Sequence, residues 1–188
     1  NGQDGIKCEN ADASISGNTI SDNVNQGVYV RDSDVELTNN TFNNNGQYAV
    51  QFWGSHTLTR SITGNSGSGN QYNGIGIEGT VVGNSTLTTG NTELPYIIFN
   101  NGLTVNEGVS LTIESPNVVK FDLQGKKLVV NGSLIANATS GSEIVFTSLR
   151  DDDYGGDTNN DGASSGSADD WEGIRFNDSS DDASCVLD

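Results

Sequence analysis

Apolar residues along this chain come in short clusters, mostly β-branched or aromatic, and each cluster is cut off by Gly, Asn or Asp. Within the clusters the alternation is regular. Lys7 separates Ile6 from Cys8, Tyr29 separates Val28 from Val30, Gln51 separates Val50 from Phe52, and Gly76 separates Ile75 from Ile77. A period of two marks a strand with one buried face, and the turn residues between clusters leave no room for a helix of ten or more residues. The pattern predicts short strands joined by polar turns.

These clusters repeat. Gly5-Ile-Lys-Cys8 returns as Gly27-Val-Tyr-Val30 and Ala49-Val-Gln-Phe52, each 22 positions on, and as Gly74-Ile-Gly-Ile77 after a step of 25. A second column keeps the same step: Ile15-Ser-Gly-Asn-Thr-Ile20, Leu37-Thr-Asn-Asn-Thr-Phe42 and, more loosely, Ile62-Thr-Gly-Asn65. A period this short suits a solenoid whose coils stack through parallel hydrogen bonding about 4.8 Å apart, since no single coil can bury its own apolar face. Ile6 and Cys8 then point inward beneath Val28 and Val30, Val50 and Phe52, and Ile75 and Ile77. Asn18, Asn40 and Asn65, with Asn84 as a further member, are expected to form a corner ladder, because Asn accepts left-handed backbone and its amide can bond the next rung.

From about Asn91 the pattern changes to longer alternating strands, Leu103-Thr-Val105, Val109-Ser-Leu-Thr-Ile113 and Val118-Val-Lys-Phe121. Leu128–Ile135 and Ile144-Val-Phe146 repeat them about 25 residues later, and Trp171-Glu-Gly-Ile-Arg-Phe176 resumes after a long acidic loop. The division expected is residues 1–92, narrow coils, and 93–188, wider coils carrying acidic loop 150–170. The first part, on its Gly-Ile/Val-x-Cys/Val and Ile-Ser-Gly-Asn-Thr-Ile texts, resembles the right-handed parallel β-helix repeats of the pectate-lyase-like superfamily over residues 1–88. The second, on Leu-Thr-Val, Val-Val-Lys-Phe, the acidic run and Asp-Trp-x-Gly-Ile, is similar over residues 95–188 to tandem β-helix modules of bacterial secreted and cell-surface proteins. The expected fold is all-β, a right-handed parallel β-helix of seven or eight coils. In such proteins the second text opens a module and the first closes one, so the resemblance implies a fragment of a larger extracellular or cell-surface protein. Neighbouring modules or subunits would then stack end to end.

Charge narrows the partners. With 25 acidic residues against 8 basic ones and a net charge of −17, the chain lacks the clustered Lys and Arg that phosphate binding needs, which argues against nucleic acid. Its longest apolar runs, such as Tyr96–Phe99, are too short to span a bilayer. Cys8 and Cys185 lie far apart with a single His in the chain, so neither a disulfide framework nor a zinc site is indicated. His56 reads as a loop residue, Cys8 as an apolar filler and Trp171 as a core anchor. The Asn-x-Ser/Thr sequons at Asn39, Asn84, Asn131, Asn137 and Asn177 are what an Asn- and Thr-rich chain produces by chance.

The strongest chemical signal is Asp151-Asp-Asp-Tyr-Gly-Gly-Asp157-Thr-Asn-Asn-Asp161-Gly162. Calcium takes six to eight hard oxygens, and acidic and amide side chains alternating on a Gly-tightened turn bring several to one point. Asp151, Asp153, Asp157, Asn159, Asp161 and Asp169 are the expected ligands. The twelfth position of an EF-hand is Ala168 here, so this is no EF-hand, and the plainer reading of the same residues is a solvated acidic loop. A second constellation follows from the alternation: Lys7, Glu9, Tyr29, Arg31, Gln51, Trp53 and Glu78 face outward on one wall. Aromatic faces and hydroxyl-bonding side chains suit a polysaccharide or cell-surface glycan, and the resemblance implies substrate binding on a comparable face; an ordinary polar sheet surface is the plainer alternative. The leading function is a calcium-stabilised structural or adhesive module, possible carbohydrate contact included. The alternative is a polysaccharide lyase or glycoside hydrolase, for which Glu9, Asp32, Asp34 and Glu78 supply carboxylates but none of the polygalacturonase motifs beyond a faint match at Gln3–Ile6. No catalytic residue is assigned.

Overall fold

The computed structural model describes residues 3–122 and 126–188. Each of the first coils is built from three strands. The first has β1 (Ile6–Glu9), β2 (Ser14–Ser16) and β3 (Thr19–Ser21), the second β4 (Val28–Arg31), β5 (Glu36–Thr38) and β6 (Thr41–Asn43), and the third β7 (Tyr48–His56), β8 (Ile62–Thr63) and β9 (Ser66–Ser68). β10 (Tyr72–Val81) and β11 (Ser85–Leu87) follow, then β12 (Tyr96–Val105) and β13 (Ser110–Ile113). The last rungs hold β14 (Asn117–Phe121), β15 (Lys127–Val130) and β16 (Ser133–Ala136), then β17 (Ile144–Ser148), β18 (Gly173–Phe176) and β19 (Val186–Leu187). Every pairing between these strands is parallel, and the main sheet runs β1-β4-β7-β10-β12-β14-β17, with β15 and β18 beside its far end. The result is a right-handed parallel β-solenoid. Seven rungs in the main sheet are separated by six steps, so the molecule makes about six turns, fewer than the seven or eight coils expected. The acidic stretch accounts for part of the difference, because residues 149–172 contain no strand.

Register follows the alternation. Ile6 pairs with Val28 and Cys8 with Val30, and the same columns continue through Val50 and Phe52, Ile75 and Ile77, and Tyr96 and Ile98 to Val119 and Phe121. These side chains fill the interior, where Phe42, Phe52, Tyr96 and Phe121 are the largest fully buried groups. Full burial of each such side chain contributes roughly 1.5–3 kcal/mol before strain and entropy are counted. Cys8 is buried among them and burial pushes its thiol pKa up, while Trp171 stacks on Phe121 with ring centroids 4.1 Å apart.

Two corners carry asparagine ladders. In the first, the Oδ1 of Asn40 accepts from the backbone N–H (3.0 Å) and the side-chain amide (3.2 Å) of Asn18, and Asn65 does the same for Asn40. The next member is Asn91, not Asn84; Asn91 accepts from Asn65 at 3.2 and 2.9 Å, whereas Asn84 accepts from Ser110 N–H at 3.0 Å. A second ladder, Asn23-Asn45-Asn70, runs along the opposite end of β3, β6 and β9 and finishes on Asn73. The left-handed residue in each corner precedes the ladder Asn: Gly17, Asn39 and Gly64 in one, Asp22, Asn44 and Gly69 in the other. The ladder Asn is therefore chosen for its amide and the residue before it for its backbone.

The main sheet divides at a bulge. Ile77 pairs with Ile98 but Gly79 pairs with Leu103, so Phe99–Gly102 are extruded and β12 continues as two segments, one joined to β14 and the other to β15. Gly79 has φ 113°, and a Cβ there would lie 2.1 Å from Gly54 O, so only glycine fits where the strand bends.

Candidate functional site

The seven expected wall residues stand on two adjacent outward columns. Lys7, Tyr29 and Gln51 are in register on one, and Glu9, Arg31, Trp53 and Glu78 on the other. Lys7 Nζ lies 3.2 Å from Glu9 and 5.3 Å from the centre of the Tyr29 ring; Arg31 lies 5.5 Å from the Trp53 ring, which meets Tyr29 edge-on at 6.4 Å. Exposed pairs of this kind contribute at most about 1 kcal/mol each. Their accessibility differs. Tyr29, Gln51 and Glu78 are buried; Gln51 accepts from Gln26, and Glu78 accepts from Asn101 at 2.7 Å and from Asn100 at 3.5 Å. Burial raises the Tyr29 hydroxyl pKa, which keeps it protonated at neutral pH. Lys7, Glu9, Arg31 and a Trp53 that is 45% exposed form the part of the wall open to a ligand.

The first column changes character beyond Gln51. Gly76 follows, where a Cβ would come within 2.9 Å of Tyr48, and then Ile97 and Lys120, both fully buried although they face outward. Ile97, Tyr48, Phe99 and Leu149, with Tyr72 beside them, make a second apolar cluster on the outside of the sheet. Tyr48 stacks on Tyr72 at 4.6 Å and on Phe99 at 4.9 Å.

What covers this cluster is the acidic loop. Leaving β17, the chain turns back three rungs, and Thr158 O accepts the Asn73 N–H at 2.7 Å. Lys120 Nζ donates to Asp151 O at 2.9 Å and Gly156 O at 2.7 Å, so the loop wraps a buried ammonium; burial lowers its pKa and Asp152, Asp151 and Asp157 act against that. Gly155 lies so close to Pro95 that a Cβ would be 3.2 Å from its ring. At the return, Asp170 accepts from Ser148 Oγ at 2.6 Å and Ser167 N–H at 2.9 Å, and the Ser148 bond leads in lowering its pKa.

Within the loop, carboxylate oxygens of Asp152, Asp157 and Asp161 lie within 4.8 Å of one another. Asp157 accepts from the N–H groups of Asp161 (3.2 Å) and Gly162 (3.1 Å), Asp161 from Asn159 Nδ2 (2.8 Å), and Asp152 Oδ2 from Ser164 N–H (2.6 Å). Asp152 Oδ1 and Asn159 Oδ1 are buried with no hydrogen-bond partner. Of the six residues expected as ligands, Asp157 and Asp161 are in this cluster and Asn159 bonds to it. Asp151 is turned toward Thr147 Oγ1 and Asp153 N–H, Asp153 and Asp169 are exposed outside it, and Asp152 takes their place. Three consecutive Asp residues gave no way to tell which one faces the cluster. The donor set is all oxygen, and three carboxylates this close repel one another unless a cation or protons intervene, which suits a hard divalent ion.

The carboxylates weighed for catalysis are otherwise engaged. Asp32 accepts from Ser55 N–H at 2.8 Å, and Asp34 accepts from the N–H groups of Thr59 and Arg60 at 3.2 and 3.3 Å, so both cap turns. Glu9 and Glu78 are three rungs apart, roughly 14 Å at about 4.8 Å per rung, beyond the roughly 5–9.5 Å that glycoside hydrolysis uses. His56, expected in a loop, instead ends β7 in full burial. Its Nε2 lies 2.7 Å from Glu78 O, its ring meets Phe52 edge-on, its Nδ1 has no partner, and burial lowers its pKa.

Comparison with known proteins agrees with the architecture. The family described as right-handed beta helix region matches residues 1–149, well over half of the chain. Searches of curated proteins and of solved structures gave no match. Among the described residues no helix is long and apolar enough to cross a membrane.

Proposed function

Because the chain belongs to the right-handed β-helix family, we propose that it acts as a rigid extracellular module, a structural or adhesive spacer of a surface or secreted protein whose acidic loop is locked by calcium. The observation that carries this reading is the cluster of Asp152, Asp157 and Asp161 beside two buried oxygens, on Asp152 and Asn159, that have no partner. Calcium would be held by these carboxylates and the Asn159 carbonyl with water completing the shell. Bound there, it neutralises the repulsion and ties the loop over Ile97 and Lys120. The test is a thermal melt in calcium and in chelator. Ligand that binds only the folded state raises the melting temperature; a shift abolished in Asp157→Ala/Asp161→Ala supports the reading, and the absence of any shift refutes it.

A half-exposed Trp53 carrying Arg31 on its face favours a second role for the wall, contact with a polysaccharide or cell-surface glycan. Loss of retention on acidic polysaccharide in Trp53→Ala tests it.

A further inference from the structure

Two pockets meet at the tip of the acidic loop. One, of about 260 Å³, is lined by apolar Leu94, Pro95, Pro116 and Val118, by acidic Glu93 and Glu143, and by neutral Thr and Asn side chains between them. The other, of about 240 Å³, includes Asn73 and Asp157. Glu93 and Gly155 line both, so the two pockets adjoin as neighbouring parts of one surface groove beside the point where the loop touches Pro95. Taken together they fall within the roughly 300–1,000 Å³ of pockets that enclose ligands. No Lys or Arg lines either pocket, and the nearby ammonium of Lys120 is turned into the loop, onto Asp151 O and Gly156 O.

We propose that this groove binds an extended basic peptide segment. An apolar residue of the peptide sits against Pro95, Pro116 and Val118, and adjacent Lys or Arg side chains face Glu93 with Glu143 or Asp157 on either side. Charge complementarity selects this occupant: the lining is apolar and neutral polar side chains whose charged members are all acidic, on a chain of net charge −17, which favours a cation with an apolar neighbour over an anionic ligand. Asp157 is shared with the proposed calcium site, so the groove is tested through Glu93 and Glu143, which lie outside that site.

The test is a titration of labelled acetyl-Leu-Lys-Val-Arg-amide, followed by fluorescence anisotropy at physiological salt and repeated in chelator so that peptide affinity is read apart from any calcium-dependent melting shift. Glu93→Gln and Glu143→Gln are each expected to weaken binding about fivefold or more, against less than about twofold for Asp178→Asn on a remote exposed loop. Glu143 is exposed, so its variant leaves folding intact even where Glu93→Gln does not. Acetyl-Gly-Lys-Gly-Arg-amide is expected to bind about tenfold more weakly, the loss of an apolar anchor. Amide resonances of Gly90, Asn91 and Gly155 should move first. Equal losses at Glu143 and Asp178, or equal binding of the two peptides, would reduce the effect to diffuse charge attraction and overturn the proposal. Displacement of the peptide by calcium alone, with Asp157→Asn abolishing both, would assign the groove to a metal and overturn it as well.

Discussion

The narrow coils and the acidic loop solve the same problem, an excess of polar groups against an apolar solenoid, by opposite means. In the narrow coils two corners place neutral amides in register, so Asn40, Asn45, Asn65 and Asn70 each accept the N–H of the Asn in the coil before, and each Nδ2 reaches a backbone carbonyl, as Asn40 does with Ile15 O at 2.8 Å. The amides of these ladders carry no charge, and each ladder extends by simple repetition. In the loop no register exists; backbone carbonyls wrap the ammonium of Lys120 within, and carboxylates gather outside where calcium is proposed. The lesson is that the first device is intrinsic to stacking and insensitive to solution conditions, whereas the second depends on charge.

The largest expected effect breaks the shared core. Phe52→Ala, beneath Val30 and beside Ile77, should destabilise the whole solenoid by about 3–5 kcal/mol in denaturant titration. Next is the ladder. Asn45→Ala removes the acceptor of the Asn23 N–H and side-chain amide and the Asn45 Nδ2 bonds to Ile20 O and Asn70 in a buried corner, for about 2–3 kcal/mol, while Asn84→Ala, outside either ladder, should change stability by less than about 1 kcal/mol in the same titration. Lys120→Met separates the regions: loop amides should exchange faster by hydrogen exchange, with the Asn-laddered corners unchanged, and equal acceleration in both would erase the distinction. The smallest effect is with pH. His56 is held neutral, so its folded pKa lies below the unfolded value of about 6.5; between these the unfolded chain binds more protons, and stability falls as pH drops below about 6.5 until the folded pKa is passed. His56→Gln should flatten that part of a melting-temperature profile against pH.

Much of this was legible in the chain because stacking converts a repeat directly into register. The inward columns from Ile6 and Cys8 to Ile75 and Ile77, and the ladder through Asn18, Asn40 and Asn65, follow from spacing alone. The second ladder was equally available in Asn23, Asn45 and Asn70, each preceded by a left-handed Asp, Asn or Gly, but Asn-rich turns hide one spacing among many. Ile97 and Lys120 were not legible as buried, since the alternation marks a face without saying what covers it, although the unbroken Tyr96–Phe99 run is what a strand buried on both faces shows. His56 was misplaced because a polar Gly-Ser-His text reads as a loop while its strand continues β7 past a glycine kink. The loop's return to Asn73 rests on long-range packing that no local pattern encodes.

The most direct measurement is hydrogen exchange of the loop amides with and without calcium. Asp161, Gly162 and Ser164 N–H groups, bonded to Asp157 and Asp152, should be protected when calcium is added, while the amides of Asn40 and Asn45 stay unchanged. Unchanged exchange at all three loop amides in saturating calcium would contradict a cation-locked loop and leave Lys120 and Arg150 as its counter-charges.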